Sequence, residues 1–216
     1  MNLLPMAVNF DGFLNFDIKL FEWVQSLQAG SLGSFLTPFF KFYTTLGDEG
    51  IVWIVLALLL LVFKKTRKTG IAMGIALVVM LVLNNLVLKE LVFDRPRPFM
   101  LESLGSQYDW WAARYVYPEI VKAPSSPSFP SGHTSSAFAC AFAVVFAWRK
   151  KGFSIIMLVL AALMGFSRLY IEVHYCTDVL AGALVGLVYG LIGAAVAGVV
   201  YPKIEKFIEA RKAKKS

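Results

Sequence analysis

The sequence predicts an all-α polytopic membrane helix bundle, with five or six transmembrane helices and an amino-terminal amphipathic helix. Three observations carry that expectation. First, 58% of the 216 residues are hydrophobic and 16% are charged, and the mean hydropathy of +0.66 is too apolar for a soluble domain of this length. Second, apolar stretches close to the roughly 20 residues that cross a bilayer recur along the chain. Third, basic residues collect in alternate connections between those stretches, the charge pattern of a multi-pass protein. Residues 1–216 read as one integral-membrane domain.

Taken in order, residues 1–46 read as interfacial or partly embedded helices. FDIKLFEWVQSL, residues 16–27, mixes Phe16, Ile18, Leu20, Phe21, Val24 and Leu27 with Asp17, Lys19 and Glu22, the composition of a helix lying in the membrane interface. It has neither the basic start nor the small-residue cleavage site of a signal peptide. The next stretch, Phe35 to Leu46, carries Pro38 and Lys41 and either dips into the bilayer or crosses it, hence a count of five or six. The spans that follow are Gly50 to Phe63, extended by the residues before it, Gly70 to Leu88, Ser131 to Trp148, Phe153 to Ile171, and Val179 to Val200. In the last, Gly182, Gly186 and Gly190 recur at every fourth position, a spacing for close helix packing.

Charge orients these spans. Lys64, Lys65, Arg67 and Lys68 follow the first, Arg149, Lys150 and Lys151 the third, and the tail 203–216 holds Lys203, Lys206, Arg211, Lys212, Lys214 and Lys215. These segments fall on one side of an alternating path, which becomes the cytoplasmic face of a plasma membrane, carboxyl terminus included. The loop Asp94 to Pro130 and the turn near His174 then face outward. The formal net charge of +7 reflects this topology: a polybasic segment beside a membrane helix meets anionic lipid, and no nucleic-acid partner is expected. Cys140 lies within a span and Cys176 in a turn, a spacing that implies no disulfide and too few thiols for a metal cluster.

Ionisable groups at hydrocarbon depth call for a partner or a purpose, and here they gather at the outer ends of four spans. Lys89, Glu90, Asp94, Arg95 and Arg97 end the second, His133 starts the third, Arg168 ends the fourth, and His174 and Asp178 start the fifth. Antiparallel neighbours bring these ends together. Lys89, Arg95, Arg97 and Arg168 supply cations, and arginine forks suit phosphate oxygens, so the site wants an anion. His133, His174 and Asp178 are metal-ligand types, but the adjacent cations repel a metal ion; neither metal nor cofactor is expected.

Two stretches sharpen the chemistry. In FPSGHTSS, residues 129–136, Pro130 suits a first helical turn, Ser128 or Ser131 can cap it, and Gly132 lets a ligand approach the backbone. Open amides there cradle phosphate, and His133 stands where it can move a proton. A plain capped helix start explains the proline and serines equally well, though not the histidine. In FSRLYIEVHYCTD, residues 166–178, Asp178 follows His174 by one turn on the same face. Its carboxylate can hold one imidazole nitrogen and leave the other free to attack, while Arg168 grips the same anion.

These residues resemble the type 2 phosphatidic acid phosphatases, a superfamily that includes vanadium haloperoxidases and glucose-6-phosphatase. Of its three signatures, Pro-Ser-Gly-His is present as Pro130, Ser131, Gly132 and His133, and Ser-Arg-x5-His-x3-Asp as Ser167, Arg168, His174 and Asp178. Lys-x6-Arg-Pro departs: seven residues separate Lys89 from Arg97-Pro98, and five separate it from Arg95-Pro96. A one-residue bulge restores the register, with Arg97 the family's arginine and Arg95 a second phosphate contact. The resemblance implies that His174 attacks phosphorus, Asp178 orients it, and His133 protonates the leaving oxygen and then activates water. It implies that Lys89, Arg97, Arg168, Ser131 and the Gly132 amide hold the phosphate, with no metal. It points to a lipid phosphate or diphosphate as substrate, undecaprenyl diphosphate first, then phosphatidylglycerol phosphate or phosphatidic acid. A non-catalytic lipid-phosphate binder or transporter remains the competing class. Tyr108, Trp110, Trp111, Tyr115 and Tyr117, in the loop Asp94 to Pro130, read as interfacial aromatics on a segment that covers or gates the site.

Overall fold

The computed structural model describes residues 11–104, 109–148 and 150–213, and among them the secondary structure is entirely helical. Residues 1–10, Tyr108, Arg149, Lys214 and Lys215 lie outside the described residues. Helix α1, Asp11–Ala29, buries Leu14, Ile18, Phe21 and Val24, the three-to-four-residue stripe of an amphipathic helix. That stripe packs on protein: Phe21 contacts the rings of Trp111, Tyr115 and Tyr175. Trp111 and Tyr115, expected at the membrane interface, are instead buried against α1.

Helix α2, Gly33–Thr45, meets α3, Ile51–Val62, through the turn Gly47–Gly50, with a bend of 53°. Positive φ at Glu49 (52°) and Gly50 (68°) makes this turn. Helix α4, Arg67–Met80, runs on as a π-helical stretch, Leu81–Phe93. The short α5, Asp109–Ala112, lies in the long loop, and α6, Gly132–Ala147, α7, Lys151–Tyr170, and α8, Cys176–Ala213, complete the chain.

Helix α6 is the centre of the bundle, with Ala137, Ala139, Cys140, Ala141 and Ala143 fully enclosed. Small residues let α8 come close: a Cβ added at Gly186 or Gly190 would lie 2.7 Å from Phe138 Cβ or 2.6 Å from Phe142 Cβ. Where lipid supplies no hydrophobic drive between helices, such close packing holds them together.

Among the described residues, three helices are long and apolar enough to cross a membrane, Arg67–Glu90, Lys151–Tyr170 and Cys176–Arg211, and a fourth crossing arises if Gly33–Thr45 with Asp48–Val62 is one broken span. That is fewer than the five or six expected. The difference lies in α3, which reaches spanning length only across the bend, and in α6, whose 16 residues rise only about 24 Å. The protein is a polytopic helical membrane protein. The ends of α4, α7 and their partners sort the loops. Tyr201 Oη reaches the Lys64 carbonyl at 3.5 Å and Lys64 pairs with Glu205 at 3.8 Å, so the α3–α4 turn and the end of α8 share one face. The signature residues collect at the other.

Candidate active site

Five residues join α7 to α8, and the turn is made by Glu172, whose φ is 57°. It delivers His174 into the interior, where its side chain is 2% exposed. His174 Nδ1 lies 3.3 Å from both Asp178 Oδ2 and Ser128 Oγ. Ser128 donates its own proton to Asp178 Oδ2, so both neighbours of Nδ1 accept. The imidazole proton therefore sits on Nδ1, and Nε2 keeps its lone pair. Burial first, then the nearby Arg97, Arg168 and Lys89, hold the pKa of His174 well below its ordinary value, which keeps the ring neutral.

Asp178 is fully buried, with one neighbour at Oδ1 and three at Oδ2. Arg95 Nη1 donates to Oδ1 at 2.6 Å, while the Tyr175 amide donates to Oδ2 at 3.0 Å beside Ser128 and His174. Backbone bonds tie the two signature stretches together: Ser131 N–H donates to the Asp178 carbonyl at 3.1 Å, and Ser128 N–H to the Arg95 carbonyl at 2.8 Å.

Facing His174 Nε2 is a cavity of about 690 Å³ whose polar end is lined by Lys89, Arg97, Gly132, His133, Arg168 and His174. Arg97 Nη1 is 3.4 Å from His174 Nε2, and its fork is fixed by the Val173 and Ser126 carbonyls, both at 2.7 Å. Burial lowers the Arg97 pKa to about 10, so it remains a cation at neutral pH. Arg168 donates to Thr44 Oγ1 at 2.6 Å, and its buried Nε has no partner among the described residues. Ser131 leads into α6 without a side-chain cap bond, which leaves the first amides of the helix open to an anion. A Cβ at Gly132 would lie 3.4 Å from Asn85 Oδ1 and 4.0 Å from Lys89 Nζ, so the ammonium stands beside those amides. From this end the cavity continues between α3 and α4 as an apolar cleft past Ile54, Leu58, Gly74, Leu77 and Val78.

His133 lines the same cavity from the start of α6. Its Nε2 is 2.9 Å from Asp48 Oδ1, and the side chain is 21% exposed. The α2–α3 turn passes so near that a Cβ at Gly47 would meet His133 Cδ2 at 2.6 Å.

Lys89, Arg97, Gly132, His133, Arg168 and His174 thus converge, with Asp178 directly behind His174. Arg95 and Ser131 depart from the phosphate contacts expected of them. Arg95 is turned to Asp178 and Asp17, with its guanidinium 3.8 Å over the Tyr175 ring. Ser131 Oγ is buried and accepts from Thr134 at 3.0 Å. The two arginines, two residues apart in an extended segment, separate because each finds a different carboxylate or carbonyl set. The seven-residue spacing after Lys89 is taken up by the π-helical winding of Leu81–Phe93, whose turns hold more residues than α-helical ones. Sequence reasoning missed Asp17, Asp48 and Glu172, and offered Ser128 only as one of two candidate helix caps. Asp17 alone carried a signal, since it falls on the buried stripe of α1.

Comparison with known proteins agrees with this geometry. The family model described as the PAP2 superfamily matches residues 67–201, more than half of the chain. An undecaprenyl-diphosphatase of Sulfolobus acidocaldarius is 30% identical over 175 residues, 80% of this chain and 74% of the relative. The undecaprenyl-diphosphatase BcrC of Bacillus subtilis is 28% identical over 174 residues, 81% of this chain and 80% of the relative. Among solved structures, a transmembrane PAP2 type phosphatidylglycerolphosphate phosphatase from Bacillus subtilis superposes with a TM-score of 0.61 at 25% identity, over 89% of each chain. The chain belongs to the PAP2 superfamily, as one of its membrane lipid phosphatases.

Proposed function

We propose that the protein removes the terminal phosphate of a membrane lipid diphosphate, undecaprenyl diphosphate foremost, through a phosphohistidine on His174. The observation that carries this reading is a single cavity with a held imidazole at its cationic end and an apolar cleft leading away from it. A diphosphate head group fits the first and a polyprenyl chain the second. The two relatives named as undecaprenyl-diphosphatases support the choice of lipid.

His174 Nε2 attacks the terminal phosphorus in line with the bridging oxygen. A P–N bond forms, the P–O bond breaks, and His133 gives its proton to the departing lipid phosphate. Asp178 stabilises the Nδ1–H of the phosphorylated ring. Neutral His133 then takes a proton from water, whose oxygen attacks phosphorus and frees both His174 and inorganic phosphate. Lys89, Arg97, Arg168 and the open amides at Gly132 hold the non-bridging oxygens throughout, so positioning and electrostatics supply most of the rate. No step calls on a metal. Arg95 serves by fixing Asp178. In the membrane, α2 with α3, α4 with its π-helical extension, α6, α7 and α8 form five crossings, with the catalytic end outside and the basic tail in the cytoplasm.

A second reading, hydrolysis of a monophosphate lipid such as phosphatidylglycerol phosphate or phosphatidic acid, draws support from the likeness to the Bacillus subtilis structure. The test is phosphate release by the detergent-purified protein from polyprenyl diphosphate, phosphatidylglycerol phosphate, phosphatidic acid and a water-soluble ester, with and without chelator. The expected result is highest kcat/KM on the diphosphate and no chelator effect. Binding of all four without phosphate release, as in a transporter, or strong inhibition by chelator, overturns the reading.

A further inference from the structure

Helix α1 lies outside the stretch matched by the family model, yet it grips the α7–α8 connection on both sides of His174. Two residues before it, the buried Glu172 carboxylate accepts from Gln25 Nε2 at 3.0 Å and Gln28 Nε2 at 3.3 Å, and Gln28 also donates to the Tyr170 carbonyl at 2.6 Å. Two residues after it, Cys176 N–H, at the start of α8, donates to Asp17 Oδ1 at 3.0 Å. Asp17 comes from a helix more than a hundred residues away in sequence and is wholly enclosed. Its Oδ2 lies 3.5 Å from Arg95 Nη2 and 3.5 Å from Thr177 Oγ1, and the same Arg95 places Nη1 2.6 Å from both Thr177 Oγ1 and Asp178 Oδ1.

A buried carboxylate is expensive to enclose without partners, and an apolar residue packs a helix stripe at no such cost. Asp17 sits among Leu14, Ile18 and Phe21, where a leucine would serve packing alone. Its partners are not generic. One is the first amide of the helix that carries Asp178, and the other is the guanidinium that neutralises Asp178. Burial, opposed by Arg95 and reinforced by Asp178, raises the Asp17 pKa to about 6, and both carboxyl groups turn to the one Arg95 guanidinium.

We infer that Asp17 is a positioning residue of the phosphatase: it caps the first turn of α8 and braces Arg95, so that Asp178 holds the His174 ring in line with phosphorus. The inference rests on His174 being the nucleophile. It gives α1 a role beyond membrane attachment, since the helix becomes the platform on which the nucleophile is aimed.

The test compares Asp17→Ala, Asp17→Asn and His174→Ala as detergent-purified full-length proteins, with polyprenyl diphosphate as substrate. Activity is expressed per folded molecule, judged by monodisperse elution and thermal transition. Asp17→Ala should lower kcat by about 10–100-fold, the scale of a small misplacement of a reacting group, with KM within about threefold. Asp17→Asn keeps an acceptor for the Cys176 amide and loses the charge facing Arg95, so it should recover part of kcat and of the phosphoenzyme formation rate. If Asp17→Ala does not fold, the Asn variant decides. Parent kcat per folded molecule in a folded Asp17 variant, or a loss confined to KM, overturns the inference. Full activity in His174→Ala would instead overturn the nucleophile assignment, whatever Asp17 does.

Discussion

The two histidines of the cavity are built in opposite ways. His174 is enclosed, locked at Nδ1 by Asp178 and Ser128, and buttressed from behind by Arg95 and α1. His133 starts a helix at the cavity mouth, part exposed, and its Nε2 is held by one carboxylate on the sharply turned α2–α3 connection. A nucleophile must present one lone pair along one line, so rigidity and dryness serve it. A general acid that becomes a base must let the leaving group depart and the attacking water reach the same ring nitrogen, so access serves it. On the function proposed above, the difference between the walls is the difference between the two tasks.

Replacing each histidine should break the comparison most sharply. His174→Ala should lower phosphate release by about 10⁴-fold or more, as loss of a covalent nucleophile does elsewhere, on every substrate regardless of leaving group. His133→Ala should lower it by about 10²–10⁴-fold on a lipid diphosphate, yet leave a burst with p-nitrophenyl phosphate, whose leaving oxygen needs no proton. Equal loss of burst in both variants would show that the walls do not divide the labour in this way.

Weaker perturbations sharpen it. Asp48→Asn removes the charge beside His133 and should lower kcat about tenfold, which is what roughly 1.5 kcal/mol from one charge-assisted hydrogen bond amounts to. Ring placement of His174, monitored by phosphoenzyme formation from p-nitrophenyl phosphate, should be unaffected. Smallest is Glu172→Gln, which tests the clamp behind His174 through stability. Burial raises the Glu172 pKa from 4.5 to about 8, against Gln25 and Gln28, so folding takes up a proton between those values. The stability this group contributes is fully present below pH 4.5 and is lost as pH rises through about 8. The parent's thermal transition should therefore fall between pH 5 and 8, and Glu172→Gln should flatten that slope. An unchanged slope would place the effect elsewhere.

Much of the cavity was legible in the sequence, because its chemistry is local. His174 and Asp178 share a helical face by spacing, and the glycine before His133 opens a helix start. What was not legible depended on tertiary placement. Arg95 and Arg97 alternate along two adjacent Arg-Pro pairs, and only the fold sends one to Asp178 and the other to the cavity. Asp17 was read with Lys19 and Glu22 only as part of the polar share of an interfacial helix, although Leu14, Ile18 and Phe21 surround it on the helix face. Glu172 and Asp48 stand in turns, where no periodicity marks a partner. Only three of the expected crossings stand as single long apolar helices among the described residues, because hydropathy cannot see the bend between α2 and α3, nor that the short α6 is held by packing against α8 through alanines and glycines.

Covalent chemistry at the rigid wall is most directly tested by quench-flow of the His133→Ala protein with p-nitrophenyl phosphate labelled on its phosphorus, whose leaving oxygen needs no proton from His133, followed by peptide mapping in base. A base-stable, acid-labile label on His174 that accumulates faster than phosphate is released is the expected result. Turnover by the parent protein with no labelled intermediate on His174 in either protein, or label persisting in His174→Ala, would contradict it.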